Sequence, residues 1–350
     1  MSKITLLLND VTDTSNAADR DVLTQCREIS DALTRLGHEV STVPCNLNLA
    51  DVRSRLVRID PDVVFNLVET LGETDRLMPM ATLLLDAMNL PYTGSNTRAI
   101  LLSGDKRQAK QMLVAAGIPT PAWYDEDSGT FSAMAGQEVT QCIVKANYEH
   151  ASFGMDDDAI VEFHDAAQLR QLLTDRRRST GRVHLAEQFI SGREFNLSVL
   201  DVDGQPQVLA PAEIDFCGLP EHLPRIVGAR AKWDEDSVEY QQTPHTFNFP
   251  AADQPLLDEL SKLATRCWHL FGLSGYGRVD FRVDECGQPF VLEVNANPCL
   301  SQDAGFIAAA AQSRISYDDL IEQIALSPAQ ERPRFGNSCG HHLPERRDLS

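Results

Sequence analysis

Two short runs near the C-terminal end concentrate the residue types that do phosphate and metal chemistry: Arg278, Asp280, Glu293 and Asn295. Each run has a period of two. Val279, Phe281 and Val283 alternate with Arg278, Asp280 and Arg282, and Phe290, Leu292 and Val294 alternate with Val291, Glu293 and Asn295. Residues two apart on a strand share a face, so residues 275–301 read as a ribbon with one apolar and one polar face. If Cys286-Gly287 is a two-residue loop, counting pairs Asp280 with Glu293 and Arg278 with Asn295. A three- or four-residue loop shifts those pairs. Two carboxylates set directly opposite repel, and a divalent cation between them turns repulsion into coordination. Carboxylate and carboxamide oxygens are hard ligands, better suited to Mg²⁺ or Mn²⁺ than to Zn²⁺, and such an ion commonly also holds nucleotide phosphates. The bland alternative is an amphipathic hairpin whose polar face is merely solvated. The spacing, followed at once by Pro298 and a Cys299-Leu300-Ser301 loop, favours a site.

Such a ribbon needs elements to position it. Residues 4–8 form a continuous apolar run and read as a buried strand. Val22, Leu23, Cys26, Ile29, Leu33 and Leu36 recur at helical spacing, with Gly37 as terminator. Strands at 39–43 and 63–68 complete a β-α-β order, which predicts a small parallel sheet with crossover helices. A helix over 77–90 leads to a first domain boundary near residue 100. Ser103 is placed to cap a helix running to Ala116. Residues 141–146 read as a strand ending in Lys145, followed by a polar, Gly-containing loop over 147–158. Strands at 183–189 and 195–201 flank Ser191-Gly192-Arg193, residues 208–214 are strand-like, and 217–242 predict a long functional loop. Asp253 caps a helix to Phe271, and Ser316 opens a last helix through S-x-x-D. From Ser327 the Pro- and Arg-rich tail reads as mobile.

The chain has 350 residues, enough for two or three domains with buried cores, and 43% hydrophobic with 23% charged residues is an ordinary globular composition. With 31 Lys+Arg against 51 Asp+Glu, the net charge of −20 excludes non-specific nucleic-acid binding. A nucleotide stays compatible, because a few local cations hold its phosphates. The eight cysteines form no C-x-x-C pair, and the N-terminus enters an apolar strand directly, which reads as reduced thiols in a cytoplasm. No apolar run reaches the length of a membrane span.

Several stretches in order resemble the ATP-grasp superfamily, and within it the D-alanine–D-alanine ligases. Leu90-Pro91-Tyr92-Thr93-Gly94-Ser95 followed by Asp105-Lys106 is similar to their entry into the ATP domain. Val144-Lys145 with Glu149-His150-Ala151-Ser152-Phe153-Gly154-Met155 resembles their phosphate-covering loop. Glu187-Gln188-Phe189-Ile190-Ser191-Gly192-Arg193-Glu194-Phe195 resembles the adenine and ribose segment. Ala231-Lys232-Trp233 resembles the substrate loop, and Gly277-Arg278-Val279-Asp280 with Leu292-Glu293-Val294-Asn295-Ala296-Asn297-Pro298 resembles the metal and catalytic ribbon. The resemblance implies an α/β fold of the ATP-grasp kind: an N-terminal parallel α/β domain (1–100), a central subdomain (101–186) and a C-terminal subdomain (187–326) with antiparallel sheets, then the tail (327–350).

It also implies roles. Lys106, Lys145, Ser152 and Lys232 would face phosphates, Glu187 the adenine amino group, Phe189 and Ile190 the adenine ring, and Glu194 the ribose. Asp280, Glu293 and Asn295 would hold Mg²⁺ or Mn²⁺. Arg278 and the backbone N–H of Cys299 would stabilise an oxyanion, and Asp19 would hold a substrate ammonium. The implied reaction is ATP-dependent: a carboxylate becomes an acyl phosphate and an amine displaces phosphate to give an amide. The partners implied are amino-acid-like small molecules and a second copy of the chain, with no nucleic acid and no membrane. Departures fall on substrate contacts. Ala151 stands where the family has serine, Trp233 where it has tyrosine, Cys299 where it has glycine, and Val68-Glu69-Thr70-Leu71-Gly72-Glu73-Thr74-Asp75 where it has its histidine-containing H-G-x-x-G-E-D segment. The ATP machinery is kept while the substrate contacts differ. Intramolecular cyclisation through the acyl phosphate, or a catalytically silent ATP-binding regulator, are the alternative readings.

Overall fold

The computed structural model describes residues 1–11, 17–126, 129–132, 141–150, 153–155 and 159–327. The tail from 328 onward lies outside them. The N-terminal part follows the β-α-β reading. Strand β1 (Lys3–Asn9) is buried along six of its seven residues, because helices cover both faces of its sheet. Helix α1 (Ala17–Arg35) packs Val22, Cys26, Ile29 and Leu33 against it. Strand β2 (Glu39–Cys45), helix α2 (Leu49–Ile59) and strand β3 (Val63–Leu67) follow, and the sheet has the parallel order β2-β1-β3. Asn48 caps α2 by accepting from the Asp51 N–H, a helix that the sequence pattern left implicit.

Helix α3 (Pro79–Met88) leads to α4 (Thr97–Gly104) and α5 (Lys106–Ala115). The expected helix start at Ser103 is corrected here. Ser103 is buried in the last turn of α4, and Asp105 breaks the chain and caps α5 through the Gln108 N–H. This break swings Lys106 and Lys110 onto one face of a new helix, four residues apart.

The rest of the chain builds antiparallel sheets. Beside the small ribbon of β4 (Tyr124–Asp125) and β5 (Thr130–Phe131), β6 (Gln141–Ala146), β7 (Ile160–Glu162) and β8 (His184–Gln188) order as β7-β6-β8, backed by α6 (Ala166–Thr180) through Leu169 and Leu173. The largest sheet contains β9 (Arg193–Val202), β10 (Gln205–Val208), β11 (Ala212–Ile214), β12 (His245–Thr246), β13 (Tyr276–Val283) and β14 (Pro289–Asn295). Its order is β12-β11-β9-β13-β14, with β10 on β9. The single strand expected over 208–214 is thus the end of β10 and the separate β11, which pair with successive stretches of β9. The long loop carries two short helices, α7 (Ala229–Trp233) and α8 (Val238–Gln241). Helix α9 (Gln254–Phe271) packs Leu260, Leu263, Ala264 and Trp268 on the large sheet together with α4 and α5. Helices α10 (Gly305–Gln312) and α11 (Tyr317–Leu326) join the core of β1 and α1, where Phe306 meets Tyr276 edge-on. Ser316 accepts from the Asp319 N–H at the start of α11, as the S-x-x-D spacing predicts.

The ribbon shows why its register holds. Arg278 pairs with Asn295 and Asp280 with Glu293, yet its tip is not a two-residue loop. The Asp284 N–H donates to Gln288 O, so residues 285–287 form the turn. That extra residue is absorbed by a bulge between Asp280 and Phe281, which places Leu292 out of the ladder and pairs Phe281 with Val291. Val291 therefore lies in the core and Leu292 faces the cleft, the reverse of strict alternation.

Candidate active site

The central and large sheets, α5 and α7 line a cleft with a cavity of about 350 Å³. It takes Lys145 from β6, Glu187 from β8, Glu194 and Asn196 from β9, Arg278, Asp280 and Arg282 from β13, and Leu292, Glu293 and Asn295 from β14. Lys106 enters from α5 and Lys232 with Trp233 from α7; Phe189, Ile190 and Cys299 also line it. Asp19 lies on α1, but its side chain, like all of Ala151 and Ser152, is outside the described residues.

The polar side chains arrive already paired. Arg278 donates to both carboxylate oxygens of Asp280, at 2.7 and 2.9 Å, and Asn196, directly across on β9, donates to Asp280 Oδ1 at 2.9 Å. Burial alone would lower the Arg278 guanidinium, but Asp280 outweighs it and pushes it up. Glu293 is bonded to His150 Nδ1 and lies 3.8 Å from Lys106 Nζ. Burial would raise its carboxyl, yet Lys106, His150 and Lys232 hold it well below the usual carboxylate range. Burial pushes the Lys232 ammonium down, and Arg278 adds to this. The Asn295 side-chain oxygen accepts from the Asn297 N–H at 2.9 Å. Asp280, Glu293 and Asn295 thus present hard oxygens on neighbouring ladder positions. Among the described residues no group of three or more His, Cys, Asp and Glu stands ready to hold an ion alone. Two carboxylates and a carboxamide are the hard-oxygen donor set that would suit a Mg²⁺ or Mn²⁺.

At the other end, Glu187 is buried with Lys145 on one oxygen and Lys110 on the other, the latter at 2.6 Å. Burial would raise this carboxyl, but the two lysines keep it low. The resemblance gives Glu187 to an adenine; the structure adds that both its oxygens already accept from lysines. Glu194 pairs with Arg282 at 3.2 Å, and the Arg282 guanidinium lies over Phe189 and Phe216. Gly192 makes the turn before Glu194 possible: its φ is +131°, and a Cβ there would stand 2.0 Å from Val283 O. The start of the 147–158 loop is pinned from the N-terminal part, since Thr74 Oγ1 and the Asp75 N–H donate to Glu149, and the His150 N–H donates to Asp75.

Sequence reasoning assigned no role to several residues at the site. Lys110, His150, Asn196, Asp21 and Glu69 are the main ones. Asp21 and Glu69 face the cleft beside Cys299, whose thiol donates to Asp21 Oδ2 at 3.3 Å. Burial raises the Cys299 thiol strongly, so it stays protonated and is no nucleophile. Gln25 donates to Glu69, and burial lifts the Glu69 carboxyl to about 7.

The family model for the D-ala D-ala ligase C-terminus matches residues 113–325. The chain belongs to the D-alanine–D-alanine ligase family. Curated relatives agree along most of the chain. A D-alanine–D-alanine ligase of Desulforudis audaxviator is 30% identical over 324 residues, covering 90% of this chain and 96% of its own. One from Pseudomonas putida is 30% identical over 308 residues, covering 87% and 88%. The fold matches the crystal structure of the Bacillus anthracis ligase complexed with ATP, with a TM-score of 0.69 at 21% identity over 94% of this chain and 98% of that one. As a member of the D-alanine–D-alanine ligase family, the protein is an ATP-dependent, ADP-forming C–N ligase of ATP-grasp architecture. Among the described residues no helix is long and apolar enough to cross a membrane.

Proposed function

We propose that this ligase activates an amino-acid-like carboxylate as its acyl phosphate and joins it to the amine of a second small molecule. The observation that carries this reading is the convergence of Lys106, Lys145, Lys232 and Arg278 on one cleft with the register-paired Asp280 and Glu293. In it, Lys106, Lys145 and Lys232 neutralise phosphate oxygens, and Phe189, Ile190 and Glu194 hold the nucleoside. Asp280, Glu293 and Asn295 hold Mg²⁺ or Mn²⁺, which supplies charge neutralisation on the transferring phosphoryl group. Arg278, oriented by Asp280, and the Cys299 backbone N–H stabilise the oxyanion as the amine adds. Asp21 and Glu69 stand where an ammonium would sit. Ala151, Trp233 and Glu69 depart from the family pattern, so the substrate pair differs from two molecules of D-alanine. We place the enzyme in the cytoplasm, consistent with free thiols at all seven described cysteines, and as a homodimer, which light scattering on the purified chain tests. The deciding experiment is a coupled ADP-release assay with Mg²⁺ over D- and L-amino acids, alone and in pairs, with products identified by mass. Amide formation from a pair other than D-Ala with D-Ala supports the reading. Efficient turnover of D-Ala alone refutes the altered substrate, and no ADP release with any pair refutes the ligase chemistry.

A further inference from the structure

Glu187 has two lysines for one carboxylate, and the two are not equivalent. Lys145 is 13% exposed at its side chain and lines the cleft. Lys110 is 2% exposed and lies behind Glu187, away from the cleft lining. Its ammonium is also fixed by Thr120 Oγ1 at 2.9 Å and Pro121 O at 3.4 Å. Thr120 in turn donates to Val291 O at 2.7 Å, next to the bulge of the ribbon. Lys110 therefore cannot reach a ligand, whereas Lys145 can.

Burying an ammonium is costly, and burial pushes the Lys110 ammonium down from its ordinary value, partly offset by Glu187. A second cation on one carboxylate has no use in a site that only needs neutrality. We infer that Lys110 is a positioning residue of the nucleotide site, a resident counterion that keeps Glu187 neutralised when Lys145 swings from it to a phosphate. This rests on the reading of Lys145 as a phosphate contact. Without Lys110, Lys145 and Glu187 form a closed neutral pair. Drawing Lys145 away then strands a buried carboxylate, and that cost falls on nucleotide binding. With Lys110 in place, the excess positive charge is what an incoming phosphate meets. Lys106, one turn earlier on α5, donates to Glu149 O at 2.6 Å and faces Glu293, so the same helix serves both ends of the cleft.

The test uses the full chain and measures binding of adenosine and of a non-hydrolysable β,γ-imido analogue of ATP by calorimetry, below the unfolding temperature of each variant. Lys110→Met is expected to weaken the ATP analogue by about 30-fold or more, the lower end for losing one partner of a buried charge pair. Adenosine, which leaves Lys145 on Glu187, should change by less than about 3-fold, and KM for ATP should rise more than kcat falls. Equal loss on adenosine and analogue, or no loss on either, overturns the inference. A purely structural lysine gives one of those two results. Lys145→Met separates the two readings. If it leaves analogue affinity unchanged, the phosphate role of Lys145 is wrong. If it weakens the analogue while Lys110→Met does not, only the counterion role fails. Should Lys110→Met not fold, the same substitution is made in a Glu187→Gln background, where no carboxylate needs a counterion. A loss there under about 3-fold relative to Glu187→Gln supports the inference, and one of about 10-fold overturns it.

Discussion

Asp280→Asn is the most informative single change at the ribbon. Asp280 accepts from Arg278 Nε at 2.7 Å, Arg278 Nη2 at 2.9 Å and Asn196 Nδ2 at 2.9 Å. Asparagine keeps one acceptor oxygen and sets an NH₂ against a donor, so at least one guanidinium bond is lost along with the charge. Truncating one side of a buried, hydrogen-bonded charge pair costs about 2–5 kcal/mol, which corresponds to about 30- to 5,000-fold in kcat/KM. Loss of a metal ligand adds to this and raises the Mg²⁺ concentration needed for half-maximal rate. The assay is coupled ADP release at several Mg²⁺ concentrations, with thermal unfolding as the control for folding. Full ATP-dependent ligation by the variant refutes the assignment of Asp280. A reduced rate with unchanged Mg²⁺ dependence refutes its role as a metal ligand and leaves it as the partner of Arg278.

Other outcomes follow from single residues. Burial raises the Glu69 carboxyl from its ordinary value of 4.5 to about 7, so the folded protein keeps a proton that the unfolded chain releases between those values. Stability from this group therefore falls as pH rises from about 4.5 through about 7. Glu69→Gln should match the parent at pH 4 and gain up to about 3 kcal/mol at pH 8 in urea unfolding; an equal difference at both pH values contradicts this. Gly192→Ala sets a Cβ 2.0 Å from Val283 O at φ +131° and should destabilise by more than about 1 kcal/mol, with weaker nucleotide binding. An unchanged melting temperature would show that the turn relaxes freely. Ser316→Ala removes the cap on α11 and should cost about 1 kcal/mol without moving KM for ATP. A shifted KM would mean that α11 communicates with the cleft.

The parallel N-terminal sheet was legible from short continuous apolar runs around a helical period, as expected of strands buried on both faces, and the polar ribbon from its period of two. The ribbon register was right for a reason that counting did not contain. The turn is one residue longer than assumed, and the bulge at Leu292 cancels the difference. Bulges leave no mark in an alternating pattern, so Val291 and Leu292 were assigned to each other's faces. The break between α4 and α5 was misplaced because Ser103 and Asp105 are both capping residues, and only packing selects Asp105. Lys106, Lys145 and Lys232 were singled out by motif context. Lys110 was not, since a buried lysine is defined by a partner, Glu187, far along the chain. Asp21 and Glu69 escaped for the same reason: the cleft that gathers them with Cys299 exists only after the N-terminal sheet packs on the large one.

The bulge also gives the ribbon a parity rule. Whether Asp280 and Glu293 look the same way depends on whether the count of residues between them is odd or even, since each single insertion or deletion rotates one strand by half a turn. Leu292 is the residue outside that count. Its removal leaves Asp280 opposite Glu293 and Phe281 opposite Val291, while a loss at the tip that keeps a three-residue turn flips the carboxylates apart unless the bulge is lost with it. The hairpin can therefore change length at its tip and still keep its two acids in frame, provided that the bulge appears or vanishes in step.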